Sequence, residues 1–70
     1  MNLKTRLGDG HLVSTVQLLD GTYETMVFPA NGMIEEHCER TCSEFRAQQN
    51  HAREVFRIQR AIRKMGGKNV

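Results

Sequence analysis

Tryptophan is absent from the sequence, tyrosine occurs once and phenylalanine three times. In 70 residues that leaves one small domain with little apolar area to bury, near the size at which a core needs a staple or a partner. A stability of about 3–5 kcal/mol is expected for the monomer, with dimerisation a natural supplement. Cysteine is also scarce. Cys38 and Cys42 stand four residues apart, too few and too close for the disulfide framework of a secreted miniprotein. No apolar run approaches the roughly 18–20 residues that span a bilayer. Residues 1–11 lack the apolar stretch of a secretion signal, so a cytoplasmic protein with no membrane role is expected. Neither a glycine-rich phosphate loop opening a helix nor a nucleophile, base and orienter set is visible, which points away from catalysis and implies no cofactor.

What is present begins with residues 12–28, LVSTVQLLDGTYETMVF. Two runs rich in β-branched, aromatic and aliphatic residues meet at Asp20-Gly21, a strong hairpin signal, because a type I′ turn needs positive φ at both central positions. A two-residue loop there, or a four-residue loop over 19–22, pairs Leu18 with Tyr23, Val16 with Thr25 and Ser14 with Val27. In that register one face is mostly apolar. The other carries Gln17 and Glu24 near the turn, and Val13, Met26 and Phe28 at the open end.

Residues 1–11, interrupted by Gly8-Asp9-Gly10, read as a flexible arm that Leu3 and Leu7 tether. Pro29-Ala30-Asn31-Gly32 reads as a second turn, and a third, charged edge strand is expected over 33–39. Thr41-Cys42-Ser43-Glu44 fits a capping box. Gly66-Gly67 supplies a left-handed stop after Arg63 and Lys64, which suit the helix dipole. The expected fold is therefore α+β: a three-stranded antiparallel meander packed against one long C-terminal helix over about 42–65, with a single domain over 12–65 and a tail over 66–70.

Charge is unevenly spread. Residues 1–40 hold three basic and six acidic side chains and residues 41–70 hold seven and two, giving net charges of −3 and +5. At 100° per residue, Phe45, Ala47, Ala52, Val55, Phe56, Ile58, Ile62 and Met65 share an arc expected to cover the hairpin. Arg46, Arg53, Arg57, Arg60 and Lys64 lie within about 60° of one another opposite it, a basic ridge with Glu54 off to one side. Arginine forks suit phosphate and carboxylate alike. With both helical phenylalanines on the expected core side, stacking platforms for nucleic acid are missing, so an acidic protein surface is the preferred partner and nucleic acid the alternative. The greasy open end of the hairpin, Val13, Met26 and Phe28, with Met33 or Ile34 beside it, is a second candidate surface, for a partner or for a homodimer.

His37, Cys38, Cys42 and His51 supply four zinc donors on paper. Adjacent His37 and Cys38 point to opposite faces of a strand, and His51 lies about three turns of helix beyond Cys42, so no metal site is expected.

Val13-Ser14-Thr15-Val16 followed by Tyr23-Glu24-Thr25-Met26-Val27-Phe28 resembles a family of short phage and bacterial hypothetical proteins with a VSTV segment and then an ETMVF segment. In that family a helix containing a histidine follows a Thr or Ser; Thr41 to Glu44 and His51 are the matching positions. The resemblance covers roughly residues 12–52. This chain departs from it in its tight Asp-Gly turn and its longer, more basic helix. The resemblance implies a phage or mobile-element origin without an established activity. The function expected is that of a small non-enzymatic interaction protein, phage-encoded, that binds and inhibits a host macromolecular complex.

Overall fold

The computed structural model describes residues 2–31 and 37–66. The Asn31-Gly32 turn, residues 33–36 of the expected third strand and the tail beyond Gly66 lie wholly or partly outside them. The architecture is α+β, with strands β1 (Asn2–Arg6), β2 (Leu12–Gln17), β3 (Tyr23–Phe28) and β4 (His37–Thr41) followed by helix α1 (Glu44–Gly66). The strands form one antiparallel sheet in the order β1-β2-β3-β4, and α1 crosses a single face of it.

Two features differ from the sequence expectation, and both trace to turns. Residues 2–6, expected within a flexible arm, pair with β2 from Asn2↔Val16 to Arg6↔Leu12 and make a fourth strand. The central hairpin is also slipped by one residue: Gln17 pairs with Tyr23, Val16 with Glu24 and Ser14 with Met26. Its loop has three residues. Leu18 N–H donates to Thr22 O at 2.7 Å, and Gly21 N–H donates to Leu18 O at 3.0 Å. Gly21 sits at φ 90°. This is a type I turn followed by a left-handed bulge residue, the common three-residue hairpin, in which Gly alone carries positive φ.

The first hairpin closes in the same way. Leu7 N–H donates to His11 O at 2.8 Å and Gly10 N–H to Leu7 O at 3.0 Å, with Gly10 at φ 98°. A Cβ on Gly10 would also lie 2.8 Å from that of Ala30, so both conformation and space demand glycine there. The aspartates before the two bulge glycines act alike: Asp9 Oδ1 accepts the His11 N–H at 3.0 Å and Asp20 Oδ1 the Thr22 N–H at 2.9 Å. Leu-x-Asp-Gly thus recurs eleven residues apart, at Leu7 and Leu18.

Because side chains alternate along a strand, the one-residue slip moves every residue of one strand to the other face relative to its partner. Val13, Thr15, Thr25 and Val27 lie under α1, each almost fully buried. Leu12, Ser14, Val16, Glu24, Met26 and Phe28 share the opposite face. Val13 is therefore a core residue and not part of the open surface with Met26 and Phe28. Among the described residues the core is a cluster of Leu7, Val13, Val27 and Ile58, with Val55 and Ile62 packed against it.

The helix begins two residues later than expected. Ser43 is its cap, its Oγ accepting the Arg46 N–H at 3.2 Å and its carbonyl the Ala47 N–H at 2.9 Å. The Thr41 hydroxyl instead accepts the Ser43 N–H at 3.3 Å, and Glu44, freed from a capping box, accepts from the Tyr23 hydroxyl at 3.3 Å.

Candidate docking face of the helix

The side of α1 that meets the sheet is not its most apolar one. Ala47, His51, Glu54 and Ile58 are buried and Val55 and Ile62 half-buried, whereas Phe45, Phe56 and Met65 are 68%, 61% and 72% exposed and Ala52 is exposed too. Relative to the expected arc the buried side is turned by roughly 50°. The sheet explains the turn. Its covered face presents the hydroxyls of Thr5, Thr15 and Thr25, which need polar partners once water is excluded.

His51 supplies them. Its Nε2 lies 2.9 Å from Thr5 Oγ1 and its Nδ1 2.8 Å from Thr15 Oγ1, which in turn bonds Thr25 Oγ1 at 2.8 Å. Burial holds the His51 imidazolium pKa below the ordinary histidine value.

Glu54 is the second buried polar group. Its Oε1 accepts from Arg57 Nε at 2.9 Å and pairs with Arg57 Nη2 at 2.8 Å, while Oε2 takes Arg53 Nε at 3.4 Å and lies 3.8 Å from His37 Nε2. Burial alone would raise this carboxyl's pKa. Hydrogen bonding and charge from Arg57, with His37 and Arg53, outweigh it and hold the group below the ordinary glutamate range. Among the described residues no buried side-chain nitrogen or oxygen lacks a partner.

All five cations of the expected ridge, Arg46, Arg53, Arg57, Arg60 and Lys64, are exposed. They do not form an uninterrupted basic surface. Glu54, expected to stand aside, lies beneath the ridge and takes both Arg53 and Arg57, and Arg53 also pairs with Glu39. Arg46, Arg60 and Lys64 form no ion pair among the described residues. Beside them run Phe45, Ala52 and Phe56, at i, i+7 and i+11 along one line of the helix, and a shallow trough lined by Arg46, Ala52, Arg53 and Phe56 joins the two strips.

The four paper zinc donors do not converge. His51 is held by threonines, and Cys38 and Cys42 are exposed. The ligand-capable groups that do meet are His37, Glu39 and Glu54, within 4.8 Å of one another, and there Arg53 and Arg57 already neutralise both carboxylates. No helix among the described residues is long and apolar enough to cross a membrane.

Two signals for this arrangement are visible in the sequence in retrospect. The Leu-x-Asp-Gly repeat sets both hairpin registers, and threonines at alternate strand positions call for a polar residue on the covering helix. No protein-family model matches the chain, and neither a curated protein nor a solved structure matches it.

Proposed function

We propose that the protein is a non-enzymatic binding module that docks the outward side of α1 onto an acidic partner protein. The observation that carries this reading is the pair of exposed rings, Phe45 and Phe56, set on one helical line with Ala52 and flanked by cations that form no ion pair among the described residues. Aromatic anchors rimmed by arginine are the usual composition of an interface centre. Spacing of i, i+7 and i+11, with a small residue in the middle, suits an apolar stripe on a second helix. Acidic side chains flanking that stripe would meet Arg46, Arg60 and Lys64. On the resemblance described above, the partner belongs to a host macromolecular complex and binding inhibits it.

Nucleic acid is the second reading, favoured by the same exposed rings, on which bases stack. The internal pairing of Arg53 and Arg57 counts against it, because fewer free cations release fewer counterions. Both readings are testable on the intact chain. Immobilised wild type should capture a bacterial protein that Phe45→Ser/Phe56→Ser and Arg46→Glu/Arg60→Glu/Lys64→Glu each retain at least about tenfold less, a loss of about 1.4 kcal/mol. Stability of the double variant should change by no more than about 0.5 kcal/mol, since exposed rings hold nothing together. Capture of the same proteins by all three chains defeats the proposal. Salt-sensitive binding to a single-stranded oligonucleotide at about 50 mM salt would replace it with the second reading.

A further inference from the structure

The side of the sheet that α1 covers mixes Val13, Tyr23 and Val27 with buried threonines, and the open side carries an apolar strip of its own between charged edges. Under the helix lie Thr5, Thr15 and Thr25 with His51. On the other side Leu12, Val16, Met26 and Phe28 are half-buried around Ser14, which is 5% exposed, and no element of the described residues lies over them. An antiparallel sheet ordinarily leaves its polar face to water and buries its apolar one. We propose that a second copy of the chain completes the structure, the two open faces packing together as a homodimer with layers in the order α-β-β-α.

Three observations select a second copy as the occupant. The first is size. The strands have five or six residues, about 17–20 Å, and four of them span about 19 Å, so the face measures about 350 Å² in projection. Pairing two faces removes about 700 Å² of projected area, and side-chain relief raises the accessible area to about 1,000 Å², the size of a weak, reversible dimer. The second is need: among the described residues the core is built from Leu7, Val13, Val27, Ala47 and Ile58 with Val55 and Ile62 beside them, and Tyr23 is its one aromatic ring, a set of mostly small side chains for a domain near the lower size limit.

The third is charge. Across the strands the open face reads Asn2-Val16-Glu24-Arg40, then Lys4-Ser14-Met26-Cys38, then Arg6-Leu12-Phe28. Its centre is uncharged apart from Glu24, which Arg40 neutralises at 2.9 Å, and Lys4 and Arg6, cations that form no ion pair among the described residues, stand on edge strand β1. A two-fold axis running across the strands would set β1 over β1 and bring those cations onto their own copies. An axis parallel to the strands sets β1 over β4 and separates like cations by about 14 Å, three strand spacings. It also places Leu12 over Phe28 of the second copy. The two α1 docking faces then point away from each other on opposite surfaces of the dimer.

Sedimentation equilibrium on the full chain between about 5 and 200 µM tests this, a range in which an interface of this size shows mass action. The expected mass is twice the 8.0 kDa of the chain. Met26→Lys should restore the single-chain mass with unchanged circular dichroism, and Phe45→Ser/Phe56→Ser should stay dimeric. In a mixed labelled and unlabelled wild-type sample, isotope-filtered NOEs should join the Leu12 methyls to the Phe28 ring across copies, which needs no variant to fold. Wild type that sediments as a single chain overturns the proposal. So does a dimer that survives Met26→Lys, one that dissolves in the helix variant, or filtered NOEs that arise from α1. A single-chain mass, or a dimer that survives Met26→Lys without NOEs from α1, leaves partner capture by the helix untouched, whereas a dimer held by α1 would put a second copy on that docking face; the two proposals therefore fail by different results.

Discussion

The two sides of the sheet do not divide into an apolar core face and a polar surface face. Thr15 and Thr25 on the covered side are as fully buried as Val13 and Val27 beside them, while Met26 and Phe28 on the open side remain half exposed. The helix repeats the mixture, with His51 and Glu54 inward beside Ala47 and Ile58, and Phe45 and Phe56 outward. Hydrophobicity alone does not select which faces meet. A face rich in hydroxyls is roofed at little cost if the roof brings matching donors and acceptors, because only an unpaired buried polar group is expensive. The apolar surfaces left outside are then available for assembly.

The largest effect should come from breaking the polar seam at one point. Thr15 Oγ1 bonds both Thr25 and His51 at 2.8 Å, and Thr15→Val keeps the shape while stranding both partners. It should cost about 1–3 kcal/mol, a large share of the total for so small a domain. The triple variant Thr15→Val/Thr25→Val/His51→Leu removes those groups together, leaving of the seam only the half-buried Thr5 hydroxyl, and should recover to within about 1 kcal/mol of wild type. Urea midpoints decide. A triple variant as unstable as the single one would mean that burial of hydroxyls and imidazole is itself what stabilises this face.

Acid should weaken the same seam more gently. His51 has its folded-state pKa lowered from 6.5 by burial, so the unfolded chain binds its proton first. Stability from this group is complete above about 6.5 and is lost as pH falls towards the lowered folded value. Glu54 is lowered from 4.5; its contribution is present above that pH and disappears as pH drops through the folded value. The groups facing His51, Thr5 and Thr15, do not titrate, whereas those facing Glu54 are Arg53, Arg57 and His37. Unfolding midpoints should therefore fall in two stages between pH 7.5 and 3, and the triple variant should lack the first. A profile that is flat from 7.5 to 5 in wild type removes His51 from the account.

Much of this fold is legible in the chain. Asp20-Gly21 marks the hairpin, the period of residues 44–66 marks one long helix, and the meander follows from the spacing of strands and turns. The rest depends on choices between near-equal local alternatives. Asp-Gly suits a two-residue loop and also the end of a three-residue one, and Leu19, 109% exposed, joins the loop, which shifts the register by one. Ser43 and Thr41 are both competent caps, and Ser43 wins. The helix could bury its phenylalanines or its histidine; the partner face, read in the wrong register, set Thr25 beside Val16 and left Thr15 on the other side, so the bonded threonine pair that decides between them was not there. Of the expected surface residues, the five cations and Met26 and Phe28 lie on the faces where they were sought. Val13 does not, because the register alone assigns it.

The gentlest perturbation probes that register most directly. Deleting Leu19 leaves Gln17-Leu18-Asp20-Gly21-Thr22, and because residues 18 and 19 are both leucine the shortened chain has two ways to turn. It can keep a three-residue loop and pair Gln17 with Thr22, which slips β3 by one and turns Glu24 and Met26 under the helix while expelling Thr25 and Val27. Alternatively Leu18 still pairs with Thr22 across a two-residue Asp20-Gly21 loop, the preferred type I′ sequence. The second route preserves Val16↔Glu24 and every contact of the covered face, and the deleted side chain is wholly exposed. The slip would bury a carboxylate and expose core valine, so turn chemistry and face pattern both favour the unslipped hairpin. The deletion should change stability by less than about 1 kcal/mol, with cross-strand NOEs still joining Val16 to Glu24. NOEs joining Val16 to Tyr23 instead would show that the three-residue loop dictates which side of the sheet the helix covers, whatever that side contains.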